Sequence, residues 1–141
     1  MSYTSWFKQH AQKHQTIIEK LLKRDYTQEQ IIEYFDFENM KHEEREFCPL
    51  YAEDKKCHDM EQLNCYLCAC PNFRFDDKGI SKVEEKTLYS RCAIESKDGK
   101  AGVYGQKIHQ DCSLCSVPHH KEYVTQHFDL KWEKIMKKCA L

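Results

Sequence analysis

Eight cysteines lie between positions 48 and 115, in the order Cys48, Cys57, Cys65, Cys68, Cys70, Cys92, Cys112 and Cys115. Two pairs form CxxC units, Cys65 with Cys68 and Cys112 with Cys115. In such a turn both thiolates can converge on one ion while the amides inside the turn offset their negative charge, so each pair is a natural half-site for a thiophilic metal. Cys68-Ala-Cys70 differs, because a one-residue gap places both side chains on one face if the backbone is extended. Cys70 then either joins the same shell or bridges to a second. Eight clustered thiols equal two sets of four, which fits two tetrathiolate centres, or one centre of four with additional ligands.

Histidines are at hand to complete a mixed shell. His58 follows Cys57 directly, His109 precedes Cys112 by three residues, and His119 and His120 come shortly after Cys115. We count His58 and His119 with the eight cysteines as candidate ligands, the alternative being that they hydrogen-bond to ligand sulfurs. His10, His14, His42 and His127 have no cysteine close in sequence and read as packed or surface residues. The ninth cysteine, Cys139, stands apart and reads as a packing thiol.

Spacing leaves the metal open, since four thiolates suit zinc and iron–sulfur clusters alike. Cys48-Pro49 and Cys70-Pro71 match the Cys-Pro step that ends a ferredoxin ligand run, and Phe47, Tyr51, Tyr66, Phe73 and Phe75 crowd the cysteines as a solvent shield would. Against this, the ferredoxin CxxCxxC and the CxxxCxxC of radical enzymes are absent, and zinc ribbons also join two distant CxxC units. The expected cofactor is an iron–sulfur cluster, with zinc as the alternative.

The stretch from Cys48-Pro-Leu-Tyr51 through Cys57-His58 and Asn64-Cys-Tyr-Leu-Cys-Ala-Cys-Pro71 to Asp111-Cys-Ser-Leu-Cys-Ser-Val-Pro-His119 resembles the cysteine-rich small domain family, a group of small prokaryotic domains regarded as metal-binding. The likeness runs from Phe47 to His120, about half of the chain. Similar domains are found fused to the threonine-phosphate decarboxylase of methanogen cobalamin synthesis, and that association implies work on a small amino-acid or phosphate substrate. This chain has no decarboxylase domain, and its amino-terminal segment lies outside the match.

The elements that must position these residues are helical at both ends. In Trp6 to Leu22 the apolar residues Phe7, Ala11, Ile18, Leu21 and Leu22, with His14 filling a gap, recur every three or four residues. A second helix starts at Thr27, where Thr27 and Gln30 form a capping box and Tyr26 with Ile31 a hydrophobic staple. Its apolar side is Ile31, Ile32, Tyr34 and Phe35. Ile18, Leu22, Ile31 and Phe35 are expected to pack on Tyr51, Tyr66 or Phe73, because two short helices cannot bury their apolar sides between themselves. Asn72 to Phe75 reads as a short strand, Asp76 to Gly79 as a turn, and Ser81 with Glu84 as the start of a brief helix to Tyr89. Asp98-Gly99 suggests a loose hairpin within 93–109, and Asp129 caps a closing helix with Leu130, Trp132, Ile135 and Met136. The expected fold is a small, metal-stabilised α+β unit. A helical segment, 1–45, packs on an irregular cysteine-rich module, 46–121, and a carboxy-terminal helix, 122–141, completes one compact domain.

Composition narrows the functions. The chain has 141 residues, 22 Lys plus Arg against 23 Asp plus Glu, and a net charge of -1. Between positions 36 and 61 nine carboxylates face four basic side chains, so a polyanion is repelled where the first cysteines lie, and nucleic acid is not an expected partner. No apolar stretch approaches the roughly 20 residues of a membrane span, no export signal is read, and a thiol-rich chain of this kind is expected in the cytoplasm. A protein partner or a small molecule remains. Whether the chain is an enzyme stays open: His58, His119, Arg91 and Lys107 are the groups near the ligands that could do chemistry, yet GxxxxGK[ST], GxSxG and HExxH are all missing.

Overall fold

The computed structural model describes residues 2–141. Ser2 starts helix α1, Tyr3–Lys23, by accepting the Ser5 amide on its hydroxyl. One face of α1 buries His10, His14, Ile17, Ile18 and Leu21. Leu22, expected on that face, sits at its solvent edge with 44% exposure, and Ile17 is buried in its stead. Helix α2, Gln28–Tyr34, begins with the Thr27/Gln30 capping box. A further helix, α3, Phe37–Glu43, follows after Asp36, so the amino-terminal arm has three helices and not a pair. The break exists because the chain at Asp36 pairs antiparallel with Asn64: the Phe37 amide donates to Leu63 O at 2.8 Å and the Cys65 amide to Phe35 O at 2.8 Å.

These helices share one core with the cysteine region and the carboxy terminus. Phe35 meets Tyr66 with ring centroids 4.7 Å apart, His14 meets Tyr66 at 4.5 Å, and His10 meets Trp132 at 4.8 Å. Ile18, Ile31, Tyr51, Val124 and Cys139 belong to the same buried cluster. Ile18, Ile31 and Phe35 therefore join Tyr51 and Tyr66 in one core, as expected, and Leu22 does not.

Strand β1, Phe73–Phe75, pairs antiparallel with β4, Ser90–Cys92. Strands β2, Ser81–Val83, β3, Lys86–Leu88, β5, Lys100–Tyr104, and β6, Lys107–Asp111, form a second sheet in the order β2-β3-β6-β5, with β3 and β6 parallel. Ser81 to Tyr89 is thus a hairpin and not the brief helix its capping signal suggested. Glu84 and Glu85 take φ of 50° and 70°, the left-handed pair that turns a two-residue hairpin. This stretch has no apolar stripe to bury as a helix, whereas as strands it gains ladder bonds to β6. The β5–β6 hairpin turns at Gly105-Gln106, with Gly105 at φ 64°. Asp98-Gly99 instead makes the turn that leads into β5, its Gly99 amide donating to Ser96 O. The second sheet is thinly packed: Ile108 is buried, whereas Val83, Val103 and Tyr104 are exposed.

Helix α4, Lys121–His127, buries Val124 alone, too little pattern to be read from sequence. Helix α5, Trp132–Ile135, is one turn, followed by a 3-10 turn at Lys137–Cys139. Asp129 accepts the Lys131 amide just ahead of α5. The Leu141 amide then donates to Phe75 O at 2.9 Å, tying the end of the chain to β1. The architecture is a small α+β fold with a long amino-terminal helix and a short carboxy-terminal one. Among the described residues no helix is long and apolar enough to cross a membrane.

Two expected results follow from this scaffold. Asp77 accepts the amides of Tyr3 and Thr4 and the Thr4 hydroxyl, and so caps α1 from the turn after β1. Asp77→Ala leaves those donors to water and should cost about 1 kcal/mol of stability in urea unfolding. The second concerns acid. Burial first, and the neighbouring cation second, holds His10 at about 4, while burial followed by His10 holds His14 at about 3, both below the usual 6.5. The folded state therefore disfavours the charged rings. Their contribution is present above the unfolded pKa of 6.5 and is lost as pH falls from there toward 4 and 3. Stability should drop by up to about 1.4 kcal/mol per pH unit per ring over that window. His14→Phe should flatten the slope; an unchanged slope would show that these rings are not what titrates.

Candidate metal centres

Cys65 and Cys68 are placed by the deepest part of the fold. The Asn64 amide donates to His119 O at 3.0 Å, and its side-chain amide donates to Ile32 O at 2.7 Å and Asp36 Oδ1 at 2.8 Å. Its Oδ1 accepts the Tyr66 amide at 2.9 Å, inside the Cys65–Cys68 turn. Asn64 thereby fixes helix α2, the loop ahead of α3, the 3-10 turn Val117–His119 and the first CxxC unit to one another. Sequence reasoning did not single it out as a site residue. Its position immediately before the CxxC was the available signal.

The two CxxC turns close similarly, the Cys68 amide donating to Cys65 O at 3.3 Å and the Cys115 amide to Cys112 O at 3.0 Å. Between the units the backbone at Cys68-Ala-Cys70 is not extended. Ala69 and Cys70 have φ of 92° and 69°, a left-handed pair that side chains with a Cβ rarely adopt. The kink replaces the extended backbone that would have put Cys68 and Cys70 on one face.

The thiols influence one another in two neighbourhoods, one around Cys65 and Cys68 and one around Cys70 and Cys112. Burial chiefly raises the pKa of Cys57, Cys65 and Cys68. Cys48 adds to it at Cys57, and Cys65, Cys57 and Cys48 add to it at Cys68; at Cys65 the Tyr51 hydroxyl opposes it before Cys57 and Cys48 add to it. Cys65 is pushed up to about 12. In the other set, burial raises Cys70 and Cys112, with Cys92 and Cys115 acting on Cys70, and Cys70, Cys115 and Cys92 on Cys112, which reaches about 12. Cys70 also acts on Cys139, so the ninth thiol adjoins the second neighbourhood. Cys92 comes from the end of β4 opposite Phe73, and the other three from loops. Backbone and hydroxyl donors support the second set: the Asn72 amide approaches Cys70 Sγ at 3.4 Å, and Ser96 Oγ lies 3.1 Å from Cys115 Sγ. Raised thiol pKa values are the usual result of crowding buried sulfurs, and a bound cation reverses them.

His58 and His119 both reach the first set at Cys57. His119 is buried; its Nδ1 lies 2.9 Å from Asn64 O and its Nε2 3.7 Å from Cys57 Sγ. His58 places Nε2 2.9 Å from Cys112 O and Nδ1 3.1 Å from Cys57 Sγ. A carbonyl only accepts, so His58 Nε2 and His119 Nδ1 carry the ring hydrogens. The nitrogens facing Cys57 are then lone pairs. Burial chiefly keeps His119 neutral, with its pKa lowered to about 4. Among the described residues this is the one group in which three ligand atoms lie within 4.8 Å of one another.

The remaining candidates fall elsewhere. His109 bonds to the Tyr3 hydroxyl and stacks on Tyr89, and His120 pairs with Ser116. Arg91 and Lys107 are exposed, as are His42 and His127. Cys139 is buried with its Sγ 3.7 Å from Cys70 O and 3.9 Å from Met136 Sδ, a packing position. A cavity of about 520 Å³ opens beside both sets, walled by Tyr3, Trp6, Phe7 and Phe73 and by the thiol residues Cys57, Cys68, Cys70, Cys92, Cys112 and Cys115. Comparison with protein-family models, curated proteins and solved structures finds no match.

Proposed function

We propose that the chain is a metal-binding module that holds two centres, one on Cys48, Cys57, Cys65 and Cys68 and one on Cys70, Cys92, Cys112 and Cys115. What supports this reading is the grouping of eight thiols around Cys68 and around Cys112, while the ninth, Cys139, adjoins Cys70 but turns its Sγ to the Cys70 and Pro71 carbonyls. A tetrahedral shell with metal–sulfur bonds near 2.3 Å puts its sulfurs about 3.8 Å apart. In neither set do three sulfurs lie within 4.8 Å of one another among the described residues. Binding would draw the sulfurs of each set together, and the Cys-Pro steps at Cys48 and Cys70 make iron–sulfur the assignment we favour over zinc. The aromatic surroundings fit as well, since burial and hydrogen bonds to sulfur are how a protein tunes a cluster. Nine free thiols fit a reducing compartment, and we place the chain in the cytoplasm.

A second reading, an iron–sulfur enzyme or electron carrier acting on a small amino-acid or phosphate substrate, is favoured by the cavity onto which six of the thiol residues open. Anaerobic purification followed by iron, zinc and acid-labile sulfide analysis tests the proposal. A brown protein with sulfide and a broad band near about 400 nm supports clusters. A colourless protein with two zinc ions supports the structural module, and a metal-free protein that folds normally removes the proposal.

A further inference from the structure

Cys57, His58 and His119 do something that the two thiol sets do not: their donor atoms already stand at the spacing of a single ion. With bonds near 2.3 Å to sulfur and 2.0–2.1 Å to nitrogen, a tetrahedral ion separates sulfur from nitrogen by about 3.5 Å. The observed separations from Cys57 Sγ, 3.1 Å to His58 Nδ1 and 3.7 Å to His119 Nε2, lie on either side of that value. Both rings are turned the same way by backbone carbonyls, so two nitrogen lone pairs and one sulfur converge with a single thiol proton among them. A carbonyl behind the far nitrogen of a ligand histidine is the arrangement that fixes tautomer and ring direction in metal sites. The bonding at His119 is reciprocal: its ring donates to Asn64 O while its own carbonyl accepts the Asn64 amide, which holds the ring in a buried, rigid position.

We infer that Cys57 Sγ, His58 Nδ1 and His119 Nε2 form a site for one divalent ion of the zinc class, with its fourth coordination position open to the cavity. All three residues line that cavity, so the fourth position faces space and not protein. Three protein ligands with one open position is the pattern of zinc sites that bind or activate a small molecule, whereas closed four-ligand sites are structural. Binding releases the Cys57 thiol proton to solvent and needs no other covalent change. A thiolate carries three lone pairs, so Cys57 can serve this ion without leaving its own set. The inference rests on the triad's geometry and stands apart from the tetrathiolate reading.

Cobalt(II) is the probe, added anaerobically to the full chain as isolated, with ligand-field bands and metal content per chain as readouts. The wild type should take up one equivalent more than His58→Ala or His119→Gln, and azide should shift its bands in the wild type alone by entering the open position. His58 is half-buried on a loop, so His58→Ala decides the matter should His119→Gln fail to fold. Equal uptake by the wild type and His58→Ala, or bands that azide does not move, would overturn the inference. If the triad loads while neither four-thiol set does, the proposed function fails and this site stands; if both sets load and the variant matches the wild type, the reverse holds.

Discussion

Cys68→Ser is expected to abolish one metal centre and spare the other, with Cys112→Ser doing the opposite. The reason is the left-handed kink at Ala69 and Cys70, which turns the backbone between two cysteines only one residue apart and, in the proposed pairing, leaves Cys68 with Cys48, Cys57 and Cys65. Serine keeps the volume but is a poor ligand for a thiophilic metal, so each variant should lose about half of the bound metal. Cys68→Ser should also accumulate less protein, because its centre borders the core through Tyr66 and Leu67, both with 0% exposure. Cys139→Ser should leave the metal count unchanged, since its thiol is turned to the Cys70 and Pro71 carbonyls and the Met136 sulfur. Parallel loss of all metal in Cys68→Ser and Cys112→Ser would mean that the eight thiols serve a single centre.

Removing the metal should divide the molecule. Structural metal in small cysteine-rich peptides contributes about 10 to 16 kcal/mol of apparent binding free energy, comparable to the about 5 to 15 that stabilises a whole domain. The helical side has a packed aromatic core of its own around Phe35, Tyr66 and Trp132. The sheet side does not: Ile108 is its one buried apolar residue on the four-stranded sheet. Hydrogen exchange after anaerobic chelation should therefore show α1 still protected and β4, β5 and β6 exchanging at least about 100-fold faster. Unchanged protection across the strands would show that metal does not hold this half together.

Sequence made the helical ends legible because their apolar residues repeat at helical spacing and because Thr27 and Gln30 form a cap that the structure contains. It misplaced what local signals cannot decide. Ser81 and Glu84 have cap spacing, yet the segment has nothing apolar to bury as a helix, and pairing with β6 wins. Asp98-Gly99 is a good turn dipeptide, but the hairpin closes at Gly105-Gln106, where the flanking strands can register. The third helix went unseen because contacts made at Leu63 and Cys65, distant in sequence, interrupt a run that otherwise reads as continuous. The candidate site was legible as a set of clustered cysteines and histidines and not as a spatial arrangement. The arrangement depends on positive φ at Ala69 and Cys70, which no alanine or cysteine announces, and on Asn64, whose five hydrogen bonds reach from Ile32 to His119.

If four-plus-four thiols make two centres, the mass of the anaerobically isolated chain under non-denaturing conditions reads that directly. It should exceed the bare 141-residue polypeptide by two metal centres and fall by one centre in Cys68→Ser. A wild-type chain at its bare polypeptide mass, folded and with eight titratable thiols between Cys48 and Cys115, would contradict the two-centre proposal.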